Sequence, residues 1–167
     1  MKSIKIEIPQ GYEIDEEKST FTNVVFKPIE KKWVDLGLPS GTLWCDTNKE
    51  GYYTWNKMMK TFDEESLPKL TDFAELYDYC DWKWDSEKKG MIVTGRNGNN
   101  IFLPASGCRN YDGNLYSVGD YGHYWSASPG FDYRYYLSFT SNGFVSPSNC
   151  NYHADGHSVR LIKRTKK

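Results

Sequence analysis

The chain is predicted to fold as an α+β domain, and three observations carry that expectation. Two amphipathic helical stretches lie close together between residues 54 and 80, and everything beyond residue 81 reads as short strands and turns. Helices gathered in one part of the chain and strands in another argue against a repeating βαβ unit. The third observation is compositional. Residues 110–162 contain eight Tyr, eight Ser, six Gly and five Asn, but no Lys, Glu, Gln or Met, whereas the first 109 residues carry 13 Lys and 10 Glu. Tyr supplies large, fairly rigid contact area and Ser, Gly and Asn supply adaptable hydrogen bonds, which is the chemistry of binding loops.

Taken in order, residues 1–32 read as a small N-terminal β element. Ile4, Ile6 and Ile8 alternate with Lys5 and Glu7 as a strand over 4–8, Pro9-Gln10-Gly11 turns the chain, and Phe21 to Phe26 forms a second strand. Two such strands are marginal alone, so this element is expected to dock on the main domain or on a partner. The main domain then spans 33–167. Trp33 to Trp44 reads as strand, turn, strand, and Thr54 offers an N-cap to a helix whose Trp55, Met58, Met59 and Phe62 share one face. A second helix follows Pro68, with Phe73, Leu76, Tyr77 and Cys80 at the same spacing, and both stripes are read as core. Met91–Thr94 and Ile101–Leu103 flank a Gly/Asn-rich hairpin loop. Further short strands are predicted at 124–128, 135–140, 144–146 and 158–162. Along 135–140, Tyr135, Leu137 and Phe139 alternate with Tyr136, Ser138 and Thr140, and the second set is expected to face solvent as one flat surface.

The totals narrow the functional classes. A net charge of -1 offers no electrostatic case for nucleic acid or for an anionic membrane, and no run reaches transmembrane length. The start has no apolar h-region, so the chain is expected to be made in the cytoplasm without a signal peptide. Cys45, Cys80, Cys108 and Cys150 show no CxxC spacing and are read as reduced thiols. His123, His153 and His157 match no metal-ligand spacing and are read as exposed loop histidines. Asp112, Asp120 and Asp132 are read as solvated carboxylates in preference to a calcium cage. No cofactor, no metal and no catalytic residues are predicted.

Three stretches together resemble a C-type-lectin-like domain. They are Val34-Asp35-Leu36-Gly37-Leu38-Pro39-Ser40-Gly41-Thr42-Leu43-Trp44, the helix pair from Gly51-Tyr52-Tyr53-Thr54-Trp55 through Leu67-Pro68 to Phe73-Ala74-Glu75-Leu76, and the ending from Gly122-His123-Tyr124-Trp125-Ser126-Ala127-Ser128 to Gly156-His157-Ser158-Val159-Arg160. The resemblance covers roughly 33–163 and is to the "major paralogous" branch with the formylglycine-generating type of this fold. Departures are Lys69 in place of a Thr helix cap, His157 in place of an aromatic, and a shorter segment between Trp44 and Trp55. Catalysis of the formylglycine-generating kind needs closely spaced cysteines, which this chain lacks, and the Glu-Pro-Asn or Gln-Pro-Asp contexts of sugar-binding relatives are absent.

Part of that branch is similar to the variable proteins of diversity-generating retroelements, in which template adenines are randomised. Asn codons changed that way keep a final C or T and cannot encode Lys, Glu, Gln, Met or Trp. The resemblance therefore implies a genetic cause for the composition of 110–162, where the one Trp is the framework residue Trp125. It implies a non-enzymatic recognition protein whose ligand-binding positions are Phe131, Asp132, Tyr133, Arg134, Tyr136, Ser138, Thr140, Phe144, Ser146, Ser148, Asn149, Asn151, Tyr152, His153 and Asp155. Tyr133, Tyr136 and Tyr152 would anchor a protein or cell-surface ligand, while Arg134, Asp132, Asn151 and His153 would set specificity. Trp125, Leu137, Phe139, Val159 and Arg160 would be framework. The amino-terminal stretch resembles the start of small phage-associated proteins, which implies virion association and an alternative role as a structural component of a phage tail or surface complex.

Overall fold

A computed structural model describes residues 6–9, 12–20, 23–28, 32–151 and 155–165, excluding the side chains of Pro28 and Asn151. The chain divides into two compact units, Met1–Lys31 and Lys32–Lys167. In the first, β1 (Tyr12–Ile14) pairs antiparallel with β2 (Phe26–Pro28), Ile14 opposite Phe26. Asp15 Oδ1 accepts from Lys18 N at 3.2 Å and closes the turn that follows β1. Of the strand expected over 4–8, Ile6 to Ile8 belong to no strand and both isoleucines are exposed, while Ile4 and Lys5 lie outside the described residues. Alternation specifies a strand only where a neighbour accepts its ladder. The second strand also begins later than expected. Thr20 and Asn23 close a tight bridge, pairing resumes at Phe26, and Phe21 lies outside the described residues.

The second unit is α+β. Strand β3 (Trp33–Asp35) and the long β4 (Leu43–Tyr53) pair antiparallel, joined by a loop in which Gly37 and Gly41 take φ of 67° and 72°. Those left-handed turns suit glycine and drive Leu36 and Leu38 into the core. Ser40 secures the loop, its N and Oγ donating to the Glu75 carboxylate at 2.7 and 2.6 Å. Helix α1 (Trp55–Thr61) starts where predicted, with Thr54 Oγ1 accepting from Lys57 N, and buries Met58. A single 3-10 turn at Glu64–Ser66 leads to α2 (Leu70–Tyr79), which buries Phe73 and Leu76 and leaves Tyr77 exposed. Lys69 cannot cap α2 as a Thr would. Asp72 does so from inside the first turn, its Oδ2 accepting from Lys69 N at 2.7 Å and from Arg164 at 2.6 Å.

Strands β5 (Cys80–Asp85), β6 (Gly90–Gly95) and β7 (Asn100–Pro104) form an antiparallel meander, and β8 (Cys108–Arg109) pairs with β9 (Leu115–Tyr116). The main sheet adds β10 (Tyr121–Pro129), β11 (Arg134–Thr140), β12 (Val145–Asn151) and β13 (His157–Lys163) in the order β12-β11-β10-β13-β4-β3. Pairing in this sheet is antiparallel except between β10 and β13.

This sheet is covered on both faces. One face packs Tyr124, Leu137, Phe139 and Ile162 against Phe73, Leu76, Met91 and Leu103. The other packs Trp125, Tyr136, Val159 and Leu161 against Met58 and Leu67. Each fully buried large apolar side chain contributes about 1.5–3 kcal/mol. Arg160 is buried and donates to Asn48 Oδ1, Cys45 O and Phe102 O at 2.6–2.8 Å. No helix among the described residues is long and apolar enough to cross a membrane.

Candidate recognition groove

Strands β10, β11 and β12 place Tyr121 opposite Thr140, His123 opposite Ser138, Trp125 opposite Tyr136, and Tyr136 opposite Asn149. All of these side chains point to the face away from Leu137 and Phe139, because successive residues alternate. Near the Trp125 end that face is filled. Towards the β11–β12 turn it opens into a groove of about 520 Å³, lined by Ser117, Tyr121, His123, Tyr136, Ser138, Thr140, Asn142, Phe144 and Asn149.

The alternation predicted for β11 thus separates its two sets, but the second set is not solvent-facing. Tyr136, Ser138 and Thr140 are only 7%, 3% and 9% exposed. Tyr136 is covered by the Trp125 and His157 rings, and Ser138 and Thr140 lie at the bottom of a groove, so polar residues at every second position need not stand out in solvent. Ser138 and Thr140 form the groove floor, and Thr140 Oγ1 donates to Asn142 Oδ1 in the turn beyond it. Tyr136 is part of the core and lines the groove as well. Burial raises its phenol to about 12.

The filled end is an aromatic and histidine cluster. His157 stacks on Trp125 with ring centroids 3.9 Å apart and planes 17° from parallel. Tyr136 meets His157 edge-on at 4.6 Å, and His123 lies 5.1 Å from both His157 and Tyr136. The reading of the histidines as exposed loop residues is overturned for two of them. His157 is fully buried and His123 half-buried, while His153 lies outside the described residues. Both nitrogens of His157 and Nδ1 of His123 are buried without a hydrogen-bond partner among the described residues. Burial pulls His123 down to about 4 and His157 well below its ordinary value, so both imidazoles are neutral at neutral pH.

The loop between β10 and β11 behaves as a surface. Phe131 is 98% exposed and Tyr133 45%, with Asp132 exposed between them. Arg134 is half-buried, its guanidinium 4.5 Å from the Trp55 ring and its Nη1 donating to Gly130 O and Tyr133 O. It anchors the loop more than it offers charge to solvent. Phe144 and Ser148 are exposed, while Ser146, Asn149 and Asp155 are half-buried. Asn151 ends β12, and Tyr152 lies outside the described residues.

Sequence reasoning missed four of the nine groove-lining residues. Tyr121 and His123 would have emerged from extending the period-two reading of β10 back from Tyr124, and Ser117 and Asn142 come from turns that alternation does not reach. Exposed Tyr111, Leu115, Tyr116 and Val118, in the segment leading to β10, were missed as well.

All four cysteines are free. Burial pushes the Cys80 thiol up to about 11 and raises Cys108, so neither is a ready thiolate. Among the described residues no group of three or more His, Cys, Asp or Glu is placed to hold a metal ion. No family model, curated protein or solved structure significantly matches this chain.

Proposed function

We propose that this is a non-enzymatic recognition protein built on a C-type-lectin-like scaffold, with a diversified contact surface formed by the β10–β11 loop, the groove and the β11–β12 hairpin. The supporting observation is the concentration of exposed apolar side chains. Tyr111, Leu115, Tyr116, Val118, Tyr121, Phe131, Tyr133 and Phe144 are all exposed and all fall within 34 residues of sequence. Of these, Tyr121 and Phe144 line the groove together, and contiguous exposed apolar groups mark contact surfaces. Protonated, half-buried thiols at Cys80 and Cys108 favour binding over cysteine redox chemistry.

Sequencing the locus in sibling strains tests this reading. Differences should concentrate at 131–134, 144–149 and the adjoining loop, with Trp125, Leu137, Phe139, Val159 and Arg160 constant and a reverse transcriptase gene nearby. Tyr136 should vary least of the proposed ligand positions, because it also packs the core. Variation spread evenly over the surface, with no reverse transcriptase, would overturn the diversified reading. The separate compact unit Met1–Lys31 favours a second reading, a tail or surface-complex component docking through its amino-terminal element. Tail or fimbrial genes beside an invariant coding sequence would support it.

A further inference from the structure

We propose that Asn142, in the turn between β11 and β12, is a site of spontaneous modification, where its side-chain amide cyclises onto Gly143 and hydrolyses to aspartate and isoaspartate. The reaction needs no partner but water. The Gly143 nitrogen attacks Asn142 Cγ and gives up its proton, a C–N bond forms, the Cγ–Nδ2 bond breaks and ammonia leaves. Water then opens the resulting cyclic imide at either carbonyl, one cleavage giving aspartate and the other isoaspartate.

The chain holds two Asn-Gly turns of the same build, Asn97-Gly98 between β6 and β7 and Asn142-Gly143 between β11 and β12. Both glycines take a left-handed φ, 86° and 90°, and have open space where a side chain would stand. Each glycine N–H donates to the carbonyl three residues back, Gly95 O at 2.9 Å and Thr140 O at 3.0 Å. Each asparagine Oδ1 accepts from the backbone two residues on, Asn99 N at 3.1 Å and Phe144 N at 3.2 Å. That bond folds the amide over the glycine peptide and keeps Cγ beside the nitrogen that must attack it. Both attacks wait on the same loosening of a glycine N–H, so the two sites differ elsewhere.

Two differences favour Asn142. The leaving nitrogen of Asn97 is held, because Nδ2 donates to Asp35 O at 2.9 Å. The Asn97 side chain also lies against Gly37, where an added Cβ would come within 3.2 Å of Asn97 Cγ. Asn142 is exposed, and among the described residues its side-chain bonds are both to Oδ1, which leaves Nδ2 to solvent. The second of those bonds comes from Thr140 Oγ1, on a residue only 9% exposed. Two donors on the oxygen that gains charge as Cγ turns tetrahedral form a small oxyanion hole. Asn142 lines the groove, so the product sets a carboxylate there. The isoaspartyl form also lengthens the turn backbone by a methylene, in the turn that fixes the β11–β12 register. The groove therefore changes with the age of the molecule.

The test is peptide mapping by mass spectrometry of the full chain aged at mildly alkaline pH, beside the same chain aged unfolded in guanidinium. Electron-transfer fragmentation separates isoaspartate from aspartate. In the folded chain Asn142 should convert about 2- to 10-fold faster than Asn97, the effect of one hydrogen bond on a barrier, and in the unfolded chain the two rates should converge. Thr140→Val keeps the side chain's shape and removes its hydroxyl. It should slow Asn142 by a similar factor and leave Asn97 unchanged. Equal or reversed rates in the folded chain overturn the proposal, and that ratio decides it even if the variant does not fold. An unchanged Asn142 rate in Thr140→Val overturns the oxyanion role of Thr140.

Discussion

The loop Phe131–Arg134 and the strand face Tyr136–Thr140 follow each other directly in the chain, share the same Tyr-rich composition, and were expected to form one surface. The structure treats them differently. Phe131 and Tyr133 project from a loop secured by Arg134 on Trp55, whereas Tyr136, Ser138 and Thr140 are nearly buried on the sheet face and line a groove. Residue chemistry suited to binding therefore does not reveal how much of the fold depends on it. In the loop, Phe131 and Asp132 are exposed, and Arg134 holds the backbone through Trp55 and Gly130 O. The strand face can exchange side chains only within the volume that Trp125, His157 and His123 leave.

Tyr136→Ala should separate the two regions most sharply. Its ring contacts Trp125, His123 and His157, so its removal opens a cavity that the stacked cluster cannot close. A loss of about 3–5 kcal/mol is expected, the range for truncating a buried aromatic side chain. Urea denaturation of the two proteins measures it, and a change below about 0.5 kcal/mol would place Tyr136 with the loop after all.

Much of the architecture was legible in the chain, for reasons that particular elements make clear. Both helices, the Thr54 cap and the β6–β7 hairpin follow from local periodicity and capping, which need no distant partner. The alternation of β11 was also legible, and Leu137 and Phe139 face the core as expected. The surroundings of the other face were not. They depend on β13 lying parallel beside β10, which brings His157 onto Trp125 from residues 32 positions away. Ile6 to Ile8, expected in a strand, belong to none for the same reason, because alternation is local and pairing is not.

The His123–His157 pair gives the second test. Both imidazoles are held neutral by burial, with His123 near 4 in the folded protein against about 6.5 unfolded. Below pH 6.5 the unfolded chain takes up protons that the folded chain refuses. Stability is therefore full above pH 6.5 and falls as pH drops towards 4, by about 1.4 kcal/mol per pH unit for each histidine. Asp72, whose carboxyl is raised by burial, acts in the opposite sense at the acidic end. His157→Phe keeps a ring against Trp125 and removes one of the two protonation sites. It should flatten the loss of stability between pH 6.5 and 5. Urea midpoints across that range measure it, and parallel pH profiles for the two proteins would show that His157 is not buried neutral.

The smallest expected effect completes the comparison. Phe131→Ala with Tyr133→Ala removes two aromatic rings from the loop, yet both residues are substantially exposed, and Arg134 keeps its contact with Trp55. Surface substitutions of this kind stay within about 0.5 kcal/mol each, so the denaturation midpoint should barely move. Removing the anchor instead, by Trp55→Leu, withdraws the ring beneath Arg134 and the Nε1 donor to Ser126 O at 2.9 Å. Amide exchange in 130–134 should then speed up, while exchange along β11 beyond Tyr136 stays slow. Equal acceleration in both segments would mean that loop and strand open together, and that the loop cannot vary independently of the groove beside it.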